Sequence, residues 1–199
     1  MRFAPWLFAA LVLFALWNLY SGRDVHQPPG ILAAAEPLQR EIDSAPLVER
    51  GAFRLRPRAE FSAKVRVLHR EDYSLGELAR LVPTDFAVGW GPMSDSKVLE
   101  DVEITQANRF YFWRTQHWPV DRATIESHSA NWHVIPDNAA VRAVLGRLRR
   151  GSIVQLEGEL VDIEGTDGSI ATSLSRTDTG AGACEVLLAT RARIVEAGK

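Results

Sequence analysis

A single cysteine, Cys184, is all that the chain's 199 residues contain. This excludes an intramolecular disulfide and a multi-cysteine zinc site within one chain, and it leaves the redox compartment open. A basic excess is missing too. Lys and Arg number 23 against 25 Asp and Glu, for a net charge of −2. Non-specific nucleic-acid binding draws on surplus positive charge, so nucleic acid is not an expected partner. No H-E-x-x-H or comparable zinc pattern occurs, and there is no internal repeat or low-complexity tract. With 46% apolar and 24% charged residues, the composition is that of an ordinary globular core.

What stands out first is Phe3 to Tyr20, a run with no charged side chain. About 18 to 20 apolar residues cross a ~30 Å hydrocarbon core as a helix. Trp6, Trp17 and Tyr20 suit its two interfaces. The rival reading is a cleaved secretory signal with Arg2 as its charged start, but the small residues Ala33-Ala34-Ala35 come late for cleavage. The expected organisation is a transmembrane signal anchor over 1–22, a tether over 23–52 and a soluble β-rich domain over 53–199. The tether carries Pro28, Pro29, Gly30 and Pro37.

Gly151 to Glu164 is the stretch around which the domain is expected to form. Val154, Leu156, Gly158 and Leu160 share one parity, which then flips to Val161 and Ile163. Such a flip predicts a bulge or bend, and Gly158 sits where a barrel corner would fall. The turn at Asp167-Gly168 leads to Ile170–Ser175, and a last strand runs from Cys184 to Val195. Phe61 to His69 alternates as a half-buried strand. Arg54, Arg56 and Arg58 share one side of an extended stretch, either as an anionic contact or as charges that guard an edge. The clearest helix follows Pro136, with Val141, Val144, Leu145 and Leu148 at helical spacing and Gly151 as its exit. The expected class is α+β, an N-terminal transmembrane helix followed by a small curled antiparallel sheet or barrel of the OB-like kind, with a few short helices.

Three segments are read as loops that carry function: 89–96, 128–133 and 176–182. Their candidate binding residues are Trp90, Ser94, Asp95, His128, Asn131, His133, Arg176 and Asp178. Each choice has an ordinary structural alternative. Asp178-Thr179-Gly180 spells the triplet of aspartic proteases, but those need two carboxylates, and Asp-Gly is also a turn. His128 and His133 could bind metal with Asp85, Asp95 or Glu185, yet a histidine held by backbone groups is commoner. Cys184 could be a nucleophile with a histidine base and Asn131 to orient it; its parity instead assigns it to a buried, inert face. No catalytic residue, metal or cofactor is assigned.

Three motifs together, GWGPMSDSKVL (89–99), HSANWHVIP (128–136) and SLSRTDTGAGACEV (173–186), resemble a family of uncharacterised bacterial single-pass membrane-anchored proteins. That family carries aromatic residues after the Asp167-Gly168 turn and a methionine before the second histidine; Ser169-Ile170 and Trp132 stand here instead. The resemblance implies the anchor and the weight of the three loops, and no activity. The functional expectation is a binding or assembly module in the bacterial inner membrane, single-pass, with its domain outside the cytoplasm and another envelope protein as partner. The alternative is a hydrolytic or metal-dependent enzyme with its site in the same three loops.

Overall fold

Two short strands, β1 (Leu38–Glu41) and β2 (Val48–Arg50), flank β3 (Phe53–Asp72), a single strand of 20 residues. The chain continues through α1 (Glu77–Leu81), β4 (Thr84–Gly89), a 3-10 turn at Gly91–Ser94, α2 (Ser96–Leu99), β5 (Val102–Ala107) and β6 (Phe110–Thr115). Then follow α3 (Arg122–Ser127), β7 (Ser129–Pro136), α4 (Ala139–Leu145), β8 (Ile153–Gly165), β9 (Gly168–Ile170) and β10 (Glu185–Val195). The structure, a computed structural model, describes Trp6, Ala9, Val12 and residues 23–165, 168–178, 180 and 182–196.

The strands β3, β4, β7, β10 and β8 pair in that order, and β8 pairs back onto β3, so the sheet closes on itself. All these pairings are antiparallel except one: β10 runs parallel to β7. The ring is a small Greek-key type of barrel. Its interior is filled by Phe61, Phe86, Trp90, Trp132, Leu156, Leu160 and Leu187, with Val141, Leu145 and Leu148 from α4 and its exit closing one end. Phe61 meets Trp132 edge to face with ring centroids 5.3 Å apart, a geometry adding about 0.5–1.5 kcal/mol beyond simple burial. Asn138 caps α4 by accepting a hydrogen bond from the Val141 amide at 3.0 Å.

The expected class is corrected. The described residues are mostly β-sheet with short helices, and among them no helix is long and apolar enough to cross a membrane. The spanning helix expected over Phe3 to Tyr20 is corrected on that finding, and with it the signal anchor and the single-pass inner-membrane placement. Apart from Trp6, Ala9 and Val12, that stretch lies outside the described residues. The segment taken for a tether contributes β1 and β2, and Ala33 within it is fully buried.

The parity flip in β8 has a different origin from a bend alone. Val154, Leu156 and Leu160 face the barrel interior, while Val161 and Ile163 join Leu55, Ile135, Val186 and Leu188 in an outer cluster under α1. The strand is buried on both faces and changes which face carries the larger residues. Gly158 lies under a close crossing: a Cβ there would sit 2.0 Å from the Leu188 carbonyl oxygen. The irregularities fall on its partners, as a bulge in β3 between Pro57 and Ala59, opposite Leu160 and Val161, and one in β10 between Ala189 and Arg191. The strand that pairs with β8 is Gly168–Ile170, so of the expected Ile170–Ser175 only Ile170 takes part. Arg54 and Arg56 meet Glu164, and Arg58 meets Asp162, across the β3–β8 pairing. They are cross-strand ion pairs rather than guards of an open edge.

Candidate functional site

The hairpin β5–β6 lies against the outside of the barrel, packing Val102, Ile104, Tyr111 and Trp113 onto Leu68, Ala87, Met93 and Ile125. Its turn is two residues long, Asn108 and Arg109, with φ of 53° and 71°. Positive φ at both positions is the hairpin turn that matches strand twist, and it is strained for a residue with a side chain. Arg109 is held there from several sides. Its amide donates to the Tyr73 hydroxyl at 3.0 Å, and its guanidinium lies 3.6 Å from the Tyr73 ring centroid. Nη2 donates to the Val82 carbonyl at 3.0 Å and Nη1 to Asp85 Oδ1 at 2.8 Å.

Under this turn lies a buried polar cluster on the outer face of β4, β7 and β10. Asp85 has no solvent exposure. Register places it opposite His133, and His133 beside Val186. His133 Nδ1 is 3.0 Å from Asp85 Oδ1, an ion-pair distance, although the ring N–H is not aimed well enough to count as a hydrogen bond. We read the contact as charge against charge. Burial opposes charging of His133, but its contacts with Asp85 and Cys184 outweigh it and raise the imidazole to about 9. Asn131 donates to the Arg109 carbonyl at 2.9 Å and reaches Cys184 Sγ at 3.6 Å, while its own Oδ1 accepts from Gln106. Gln106 Oε1 in turn meets His69 at 3.0 Å.

A cavity of about 230 Å³ opens beside Cys184, between the hairpin and the segment after β9. Trp90, Phe110, Tyr111, Phe112 and Trp113 line it, with Glu126, Asp178 and Glu185 as its acidic residues and Arg176 as its basic one. Arg176 pairs with Glu185, donates to Gln39 and sits 5.2 Å from the Phe61 ring centroid. Burial pushes Glu185 up to about 8 against the pull of Arg176. Only 2% exposed, it keeps Oε2 without a hydrogen bond among the described residues.

The expected loops divide accordingly. Trp90, Arg176 and Asp178 line the cavity, and the chain at Ser129 and Ala130 completes that wall. Asn131 and His133 adjoin it through Cys184. His128 packs its ring against Trp90, centroids 6.4 Å apart, and its Cδ2 fills the space over Gly91, whose φ is +50°. Ser94 and Asp95 serve another purpose. Ser94 Oγ accepts from the amides of Leu32 and Ala33, and Asp95 Oδ1 accepts from those of Gly30 and Lys97. They latch 30–33 to the barrel. Asp178 accepts from Ser173 Oγ at 2.7 Å, a turn contact, and Thr179 lies outside the described residues. Cys184, expected to be buried, is only partly so and borders the cavity, because it lies just ahead of β10, where the strand that covers Val186 and Leu188 has not yet begun. Among the described residues no group of three or more His, Cys, Asp and Glu could hold a metal ion. Comparison with protein-family models, curated proteins and solved structures finds no match.

Proposed function

We propose that the chain is a binding module that takes a small ligand with an ammonium group on an apolar body. The observation that carries this reading is the cavity lining, five aromatic residues with the carboxylates of Glu126 and Asp178 against one guanidinium, Glu185 being held neutral by its burial. Ring faces attract a cation, and carboxylates supply the countercharge. Phe110 and Phe112 are 42% and 54% exposed, so the aromatic wall is open to a ligand from solution. Glu185 Oε2, buried and without a partner among the described residues, offers one further polar contact.

Titration with phenethylammonium, followed by tryptophan fluorescence, tests it. Saturable binding is expected with Kd on the order of 1 mM, as so small a ligand allows. Phenethyl alcohol, its neutral counterpart, is expected to bind at least about fivefold more weakly, and Phe110→Ala to weaken the amine about threefold. Equal binding of amine and alcohol would overturn the reading. A hydrolytic enzyme acting at the same loops is the second reading, favoured by the position of Cys184 beside His133.

A further inference from the structure

Cys184 is the chain's only cysteine, and it stands where two separate features of the fold meet. On one side it borders the cavity. On the other it belongs to the buried polar cluster. The parallel β7–β10 register sets Glu185 opposite Trp132 and Val186 opposite His133. Alternation therefore gives Cys184 the same face as Asn131 and His133. The Asn131 side-chain amide is 3.6 Å from Sγ, the thiol itself donates to the Arg109 carbonyl at 3.9 Å, and His133, two residues along β7 on the same face, interacts electrostatically with Cys184. Behind His133 stands Asp85, 3.0 Å from Nδ1, itself fixed by Arg109 at 2.8 Å. A thiol, an imidazole and a carboxylate thus follow one another, each on a different strand or strand end.

We propose that Cys184 is a nucleophile that accepts an acyl group from an ester in the cavity, with His133 as the imidazolium that stabilises its thiolate and protonates the leaving alcohol, and Asp85 as the positioning residue of His133. A cysteine alone would not carry this. The independent mark of a ligand is Glu185, the next residue, which lines the same cavity and is 2% exposed with Oε2 lacking a partner among the described residues. So deeply buried an oxygen is one that a bound molecule completes.

The chemistry follows the logic of a nucleophile, a base and an orienting third group. The thiol gives up its proton to solvent, leaving Sγ anionic beside the His133 imidazolium. Sγ bonds to the ester carbonyl carbon, and the Asn131 amide supplies a donor next to the oxyanion. The C–O bond then breaks, the alcohol leaves with the proton from His133, and the acyl group stays on Sγ as a thioester. Water attacks the thioester, His133 takes its proton, and breakage of the C–S bond releases the acid and restores the thiolate. The charged and titratable groups that face His133 are Asp85 from β4, Cys184 ahead of β10, and Arg109 from the hairpin turn, whose guanidinium shares Asp85 Oδ1 with the imidazole. Their arrangement keeps positive charge next to Sγ, which favours the attacking thiolate.

The test is acetyl transfer from 4-nitrophenyl acetate to the full chain at pH 7, with the acetyl group located by peptide mass mapping. Cys184 is expected to be acetylated at least about tenfold faster in the native chain than in the urea-unfolded chain, and His133→Gln is expected to remove that excess. Cys184→Ser is expected to carry no acetyl group at position 184. A native rate no faster than the unfolded one overturns the proposal, as does an excess that survives His133→Gln. Should His133→Gln fail to fold, the pH dependence of the native rate decides. A rate nearly level from pH 6 to 8 supports the assisted thiol. A rate rising about tenfold per pH unit, as an unassisted thiol shows below ~8.5, overturns it. None of these readings requires the ammonium ligand to bind.

Discussion

Arg109 places its guanidinium 2.8 Å from the Asp85 carboxylate, which has no exposure to solvent. One residue of a strained turn therefore neutralises the most deeply buried charge of the site. Removing one partner of such a pair leaves the other charged and desolvated, at a cost of about 3–5 kcal/mol. Arg109→Gly relieves the backbone strain but abandons Asp85. With the Arg109 side chain 21% exposed, the expected loss is near the lower figure, about 3 kcal/mol, in urea unfolding. Adding Asp85→Asn is expected to recover part of it; a fully additive double mutant would show that the pair does not couple.

Stability is expected to fall as pH rises from about 5 to 9. His133 has its pKa raised from 6.5 to about 9, so its contribution is complete below 6.5 and is lost as pH rises through 9. Glu185 is raised from 4.5 to about 8, so the folded state favours its neutral form, and that advantage is complete below 4.5 and lost through 8. Thermal melts of the chain at pH 5, 7 and 9 check the sign. The decline between pH 7 and 9 should be shallower in His133→Gln, and that between pH 5 and 8 shallower in Glu185→Gln. Parallel profiles in chain and variants would contradict both assignments.

Gly158→Ala tests the crossing of β8 and β10. The added Cβ would sit 2.0 Å from the Leu188 carbonyl oxygen, so backbone must move. The expected cost is about 1–3 kcal/mol, read as a lower midpoint in urea. An unchanged midpoint would mean that the bulge at Ala189/Arg191 absorbs the methyl group without strain.

Ser94→Ala should loosen the segment before β1. It removes the acceptor of the Leu32 and Ala33 amides, and Ala33 is fully buried. Leaving a buried donor unmet costs about 1–3 kcal/mol. Hydrogen exchange at residues 30–33 is expected to quicken at least tenfold while the amides of β7 stay protected. Uniform quickening would point to global destabilisation instead.

What was legible in the sequence follows from where burial is one-sided. The helix ending near Leu145 announced itself through Pro136 ahead of it and the spacing of Val141, Val144 and Leu145. Strands β4 and β7 did not, because every residue of TDFAVG and SANWHVIP is buried. A strand covered on both faces loses the alternation that marks it. So most of β7 was read as a loop, and β4 went unrecognised. Trp90, Arg176 and Asp178 were reached through unusual spelling, and they line the cavity. Arg109 gave no signal, since a two-residue hairpin turn is ordinarily announced by Asn-Gly and here reads Asn-Arg. Cys184 was misassigned because its parity was extended one residue past the start of β10, where the covering strands end.

The placement of β10 between β7 and β8 has a consequence for the order of events in folding. These neighbours precede it in the chain, and neither can complete its hydrogen bonding until the last strand has been made. Until then β7 and β8 are open edges, the kind of surface on which nascent chains associate wrongly. Closure also joins β3 to β8, as far apart as Arg54 and Glu164, so most of the loop entropy is spent late. A slow-folding chain with vulnerable intermediates is the expected companion of a site whose cysteine arrives on the final strand's threshold.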